Sequence, residues 1–156
     1  MTENVRDWFR KHGLDTQDPR KQWFKLIEEY GELVEGVNKD NRDLVLDALG
    51  DLQVVLIGMD LQLGLVYNFD STYQYHPQYD IWDTVENLHD NLGYLSRKQT
   101  GAFYRTMEDI YNICRIYDTS LDETLGIAYN EIKDRVVKLH NGQLIKESDW
   151  VWLNID

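Results

Sequence analysis

Six carboxylates crowd into one short stretch of the chain. Glu28, Glu29, Glu32 and Glu35 lie in KQWFKLIEEYGELVEGVN, and Asp47 and Asp51 lie in the greasy run DLVLDALGDLQVVLIG. On a helix, side chains three or four positions apart face one another, so Glu28/Glu32, Glu29/Glu32 and Asp47/Asp51 are neighbours. Like charges so placed repel unless a cation sits between them. An unpaired carboxylate among apolar neighbours costs several kcal/mol, on the order of 3–5. No lysine or arginine lies within a helical turn of Asp51, and Arg42 is more than two turns back, beside Asp43. Hard oxygen donors from two facing helices suit magnesium or manganese, and through them phosphate chemistry. Glu35, close to Lys39, reads as solvated surface instead.

The elements that must position these acids follow from periodicity. Asp18-Pro19 starts a helix, with an acceptor at the cap and proline at the first position. It runs to about Val37, and Trp23, Ile27, Tyr30, Val34, Val37, Leu26 and Leu33 form its expected buried stripe. On that wheel Glu29 lies beside the stripe, Glu32 farther round, and Glu28 nearly opposite. Asn38–Asn41 is a turn short enough to make the next helix an antiparallel neighbour. That helix, about Arg42–Leu63 with Asn41 as cap, is apolar almost all round, as in a bundle centre or an interface. Gly50 and Gly58 weaken it by about 1 kcal/mol each against alanine, which implies a close neighbour at each.

The remaining chain is read more coarsely. A first helix is expected near Glu3–His12, with Thr2 as cap, Val5, Trp8 and Phe9 apolar, and Gly13 as stop. Gly64 to Tyr79 is a long aromatic connection, either functional or hiding a short element. Helices follow at about Ile81–Arg97, with Val85, Leu88, Leu92 and Leu95 inward, and at about Gly101–Tyr117. Ser120-Leu121-Asp122-Glu123 opens a sixth helix, expected to reach His140 with Val136 and Leu139 inward. Asn141-Gly142 is a turn, and the tail through Trp150 and Trp152 is a short strand or an extended arm. Cys114 on its apolar face is core, and His76 and His89 have no paired ligand spacing.

Composition bounds the function. The 156 residues fit a single domain, 1–156, of all-α helical-bundle class. The net charge of −12 disfavours nucleic acid or an anionic membrane as the main partner. It does not exclude a small phosphorylated substrate reached through a bound cation. One cysteine permits no internal disulfide, and no apolar run approaches the ~20 residues of a membrane span. An intracellular, cytoplasmic protein is expected. The apolar third helix suggests protomers sharing a core, hence a homodimer or homotetramer.

The stretch Ile27-Glu28-Glu29-Tyr30-Gly31-Glu32-Leu33, followed by Asp47-Ala48-Leu49-Gly50-Asp51, resembles the MazG-like all-α nucleoside triphosphate pyrophosphohydrolases. Their signature is E-E-x-x-E on one helix and E-x-x-D on the next. Glu28, Glu29, Glu32 and Asp51 match; Ala48 stands where the pattern has glutamate, and Asp47 or a water supplies the missing ligand. A second patch, Ala128–Glu147, resembles the family more loosely. The resemblance implies Mg-dependent hydrolysis of an NTP or dNTP to monophosphate and pyrophosphate, with manganese an alternative ion. It implies Glu29, Glu32, Asp51 and Asp47 as metal ligands and Glu28 as the base. Lys25, Lys133 and Arg135 are the implied phosphate partners, and Asn130 bonds phosphate or sugar. A nucleobase would stack on Trp23 or on an aromatic of Tyr67–Trp82. Competing readings are a phosphoribosyl-ATP pyrophosphohydrolase and a non-catalytic acidic helical binding protein.

Overall fold

The computed structural model describes residues 1–99 and 101–153, and its elements are mostly helical. The order is α1 (Thr2–Lys11), α2 (Pro19–Asn38), α3 (Arg42–Leu63), α4 (Ile81–Ser96), α5 (Ala102–Ile116) and α6 (Leu121–Ile132). A hairpin of β1 (Val137–His140) and β2 (Gln143–Lys146) follows, then a 3₁₀ turn and a short α7 (Trp150–Leu153).

Local chemistry explains the boundaries of the two central helices. The Asp18 carboxylate accepts from the Arg20 amide at 3.0 Å, with Pro19 opening α2. The Asn41 side chain accepts from the Leu44 amide and starts α3. Gly64, at φ 68°, ends α3 in the left-handed conformation. α2 and α3 are antiparallel neighbours across the short turn, as the spacing predicts.

α3 is the axis of the bundle. Leu49, Leu52, Leu56 and Ile57 are fully or almost fully buried, and α1, α2, α5 and α6 all pack against it. Its all-round apolar character is thus used within one chain and gives no argument for a shared core between protomers. The two glycines have the close neighbours expected of them. A Cβ at Gly50 would stand 2.1 Å from the Thr124 carbonyl oxygen of α6, and one at Gly58 2.1 Å from the Phe9 ring of α1.

The stripe of α2 is rotated from the expected one. Gln22, Leu26, Glu29, Leu33, Gly36 and Val37 are buried, whereas Ile27 is exposed. Trp23 and Tyr30 are half-buried because they bridge to α4, donating to the Leu92 and Val85 carbonyls at 2.8 and 2.9 Å.

The aromatic connection 64–80 is an ordered strap. Tyr67, Phe69 and Phe103 form a ring cluster, and Asn112 of α5 receives the His76 amide and donates to the Gln74 carbonyl. At its start, buried Asp60 accepts from the Tyr67 amide at 3.0 Å.

Three expectations need correction. Thr2 is not the cap of α1; Met1 holds that position without a side-chain bond. The sixth helix ends at Ile132, not His140, and Val136 and Leu139 are exposed. The alternation in Val137–His140 and Gln143–Lys146 pairs instead across a two-residue turn, with Val137 opposite Lys146 and His140 opposite Gln143. Asn141 and Gly142 both have positive φ, 51° and 78°, as a type I′ hairpin turn requires. The tail forms the 3₁₀ turn and α7 rather than a strand or an extended arm. No described helix is long and apolar enough to cross a membrane.

Candidate metal centre

Glu29 occupies a core position of α2, in register with Gln22, Leu26 and Leu33. It therefore points at α3, and Asp51 of α3 faces it. Glu29, Glu32 and Asp51 each offer a carboxylate oxygen within 4.8 Å of the other two. Among the described residues no other such group of three metal-capable side chains occurs.

The electrostatics of this triad are unfavourable by themselves. Glu29 is 7% exposed, and its Oε2 is buried with no hydrogen-bond partner. Burial first, then the Asp51 charge, pushes the Glu29 carboxyl up to about 8. Burial, followed by Glu131 and Glu32, pushes Asp51 up to about 7. Lys25 offsets part of this, with Nζ 3.6 Å from Glu29 Oε1 and 3.3 Å from Glu28 Oε2.

The triad opens on a cavity of about 250 Å³. Its acidic wall is Glu29, Glu32, Asp51 and Glu131, and its basic groups are Lys25, Arg135 and Lys146. Trp8, Phe9 and Leu144 form an apolar side. Trp8 is held there by donating to the Ile132 carbonyl at 3.1 Å. Three larger cavities, of about 440, 410 and 400 Å³, border the 64–80 connection, and none contains the triad.

The candidates named from sequence divide clearly. Glu29, Glu32, Asp51, Lys25 and Arg135 meet at the cavity. Asp47 lies one turn from Asp51, outside the triad and the lining, and burial, then Asp43 and Glu32, raise its pKa. Glu28 is exposed and engaged with Lys25. Asn130 and Lys133 are exposed and do not line the cavity. Trp23 faces α4, and no residue of 67–82 reaches the cavity. Sequence reasoning missed Glu131, Lys146, Gln143 and Trp8. For Glu131 the available signal was its i,i+4 spacing to Arg135 in a patch already singled out.

The donor set fits a hard divalent cation. It is all oxygen, it comes from two helices, and one buried oxygen lacks any partner. Three convergent carboxylates would hold such an ion, which would remove their mutual repulsion.

Comparison with known proteins adds little. No protein-family model matches the chain, and no solved structure matches it. A relative is an uncharacterized 18.2 kDa protein in the rep-hol intergenic region of Haemophilus phage HP1. It is 38% identical over 58 residues, and the match spans 36% of this chain and 36% of the relative.

Proposed function

We propose that the protein is a magnesium-dependent nucleoside triphosphate pyrophosphohydrolase, of the MazG-like kind its acidic motif resembles. The observation that carries this reading is the Glu29/Glu32/Asp51 convergence in a cavity that also holds basic residues. A site with acids alone would suit storage of a cation. Acids facing Lys25, Arg135 and Lys146 suit a cation together with a polyanion.

Glu29, Glu32 and Asp51 would hold magnesium (or manganese), which would neutralise phosphate oxygens and make a water more acidic. Lys25, Arg135 and Lys146 position the triphosphate, and phosphoryl transfer depends chiefly on such positioning and charge. Water oxygen attacks the α-phosphorus, the bond to the bridging oxygen breaks, and pyrophosphate leaves. Glu28, outside the cavity lining but paired with Lys25 at its edge, is the group to which the resemblance assigns the water's proton. Trp8, rather than Trp23, is the half-buried aromatic side chain of the cavity available to a nucleobase.

Control of a nucleotide pool in a host cytoplasm is part of this proposal. Self-association into a homodimer or homotetramer belongs to the same proposal and is read by analytical ultracentrifugation.

The test is a panel of NTPs, dNTPs and phosphoribosyl-ATP with magnesium, scoring pyrophosphate against orthophosphate. Pyrophosphate release, abolished in Glu29→Gln and Asp51→Asn, is expected. Full turnover in both variants would reject the site.

A further inference from the structure

Glu131 stands in a position with two electrostatic penalties. It is the penultimate residue of α6, where the helix dipole is negative. It also lines the same cavity as Glu29, Glu32 and Asp51, and of all charged groups it acts most strongly on Asp51. Its side chain is exposed at the cavity rim, and among the described residues it has no hydrogen bond and no ion pair.

The approach of α6 to the acids is built into the packing. Gly50 immediately precedes Asp51, and its missing side chain lets the Thr124 carbonyl lie directly on α3. Ala128 and Ile132, buried on the same side of α6, fix its rotation. Three carboxylate oxygens leave a hard cation short of its usual six donors. Ala48, one turn before Asp51, is fully buried in the apolar core and contributes none. Independently, the buried Glu29 Oε2 is an acceptor in this cavity with no hydrogen-bond partner.

We infer that Glu131 is a further carboxylate of the cation site, delivered by α6. The inference rests on the metal-site reading given above. The site is then formed by three helices rather than two, and α6 docking completes it.

The experiment is Mn²⁺ binding by electron paramagnetic resonance, with metal-free thermal melts, on the full chain. The variants are Glu131→Gln, Asp51→Asn and Asp134→Asn, the last removing an exposed acid of α6's C-terminal flank. Glu131→Gln is expected to weaken Mn²⁺ binding by about tenfold or more and to raise the metal-free melting temperature, because it relieves repulsion. Asp134→Asn is expected to change neither. Wild-type Mn²⁺ affinity in Glu131→Gln, with binding lost in Asp51→Asn, would overturn Glu131 alone. Equal loss in Glu131→Gln and Asp134→Asn would also overturn it, reducing the effect to net charge. Absence of Mn²⁺ binding by the wild type would overturn both this inference and the metal-site reading.

Discussion

The Lys25 ammonium lies 3.6 Å from Glu29 Oε1, and still the Glu29 carboxyl titrates far above its ordinary range. One half-exposed cation does not offset burial plus the charge of Asp51. The fold therefore carries an unbalanced group at its centre, and its behaviour with pH and metal follows.

An acid whose folded pKa is raised gives stability that is full below its unfolded value, near 4. That stability is lost as pH climbs through the folded value. For Asp51 and Glu29 the loss runs from about pH 4 through their folded values of about 7 and about 8. The metal-free protein should melt at progressively lower temperature from pH 5 to pH 9. Saturating magnesium should flatten or reverse this trend, since the cation binds the deprotonated acids. Scanning fluorimetry across pH, with chelator or magnesium, reads both arms.

Glu29→Gln removes the charge while keeping the shape. At pH 9 it should stabilise the metal-free protein by ~1 kcal/mol, the equivalent of a single pKa unit. It should also erase the magnesium-induced melting shift. Urea denaturation at fixed pH measures the first effect and fluorimetry the second.

The glycines of α3 carry a packing prediction. Gly50→Ala places a methyl 2.1 Å from the Thr124 oxygen and 2.9 Å from Ala128 Cβ. Overpacking of this kind costs about 1–3 kcal/mol, and by displacing α6 it should also weaken metal binding. Gly31 of α2 is exposed with nothing within 4 Å of an added Cβ. Gly31→Ala should therefore stabilise by about 0.5–1 kcal/mol through helix propensity alone.

The hairpin supplies Lys146, opposite Val137, which follows closely on Arg135 in sequence. Lys146→Ala and Arg135→Ala should raise KM for a nucleoside triphosphate by about tenfold, roughly one lost charge-assisted hydrogen bond each. Metal-induced melting shifts should be unchanged. Lys133→Ala, at an exposed position outside the cavity, should leave KM unaltered. Steady-state kinetics with melts on the same samples separates these outcomes.

The paired helices and their acids were readable because each signal is local. Asp18-Pro19, Asn41 and the 3.6-residue period fix α2 and α3 without reference to the rest of the chain. The register of Glu29 is nearly legible, but a stripe through Ile27 also fits the period, and the tertiary bridge of Trp23 and Tyr30 to α4 decides against it. The hairpin is masked in the sequence because Ile132, Val136 and Leu139 also satisfy a helical spacing. Asn141-Gly142 between alternating segments was the stronger cue. Glu131, Lys146 and Trp8 reach the site only through long-range packing, which no window of sequence contains. Asn130 and Lys133 have phosphate-binding chemistry, yet the rotation of α6 set by Ala128 and Ile132 brings Glu131 to the cavity.

Phosphorus NMR of a magnesium-containing reaction with a nucleoside triphosphate tests the central claim most directly. Monophosphate and pyrophosphate signals should grow together in equal amounts, and Asp51→Asn should leave the triphosphate intact. Orthophosphate and diphosphate as first products, or undiminished turnover by Asp51→Asn, would contradict the account.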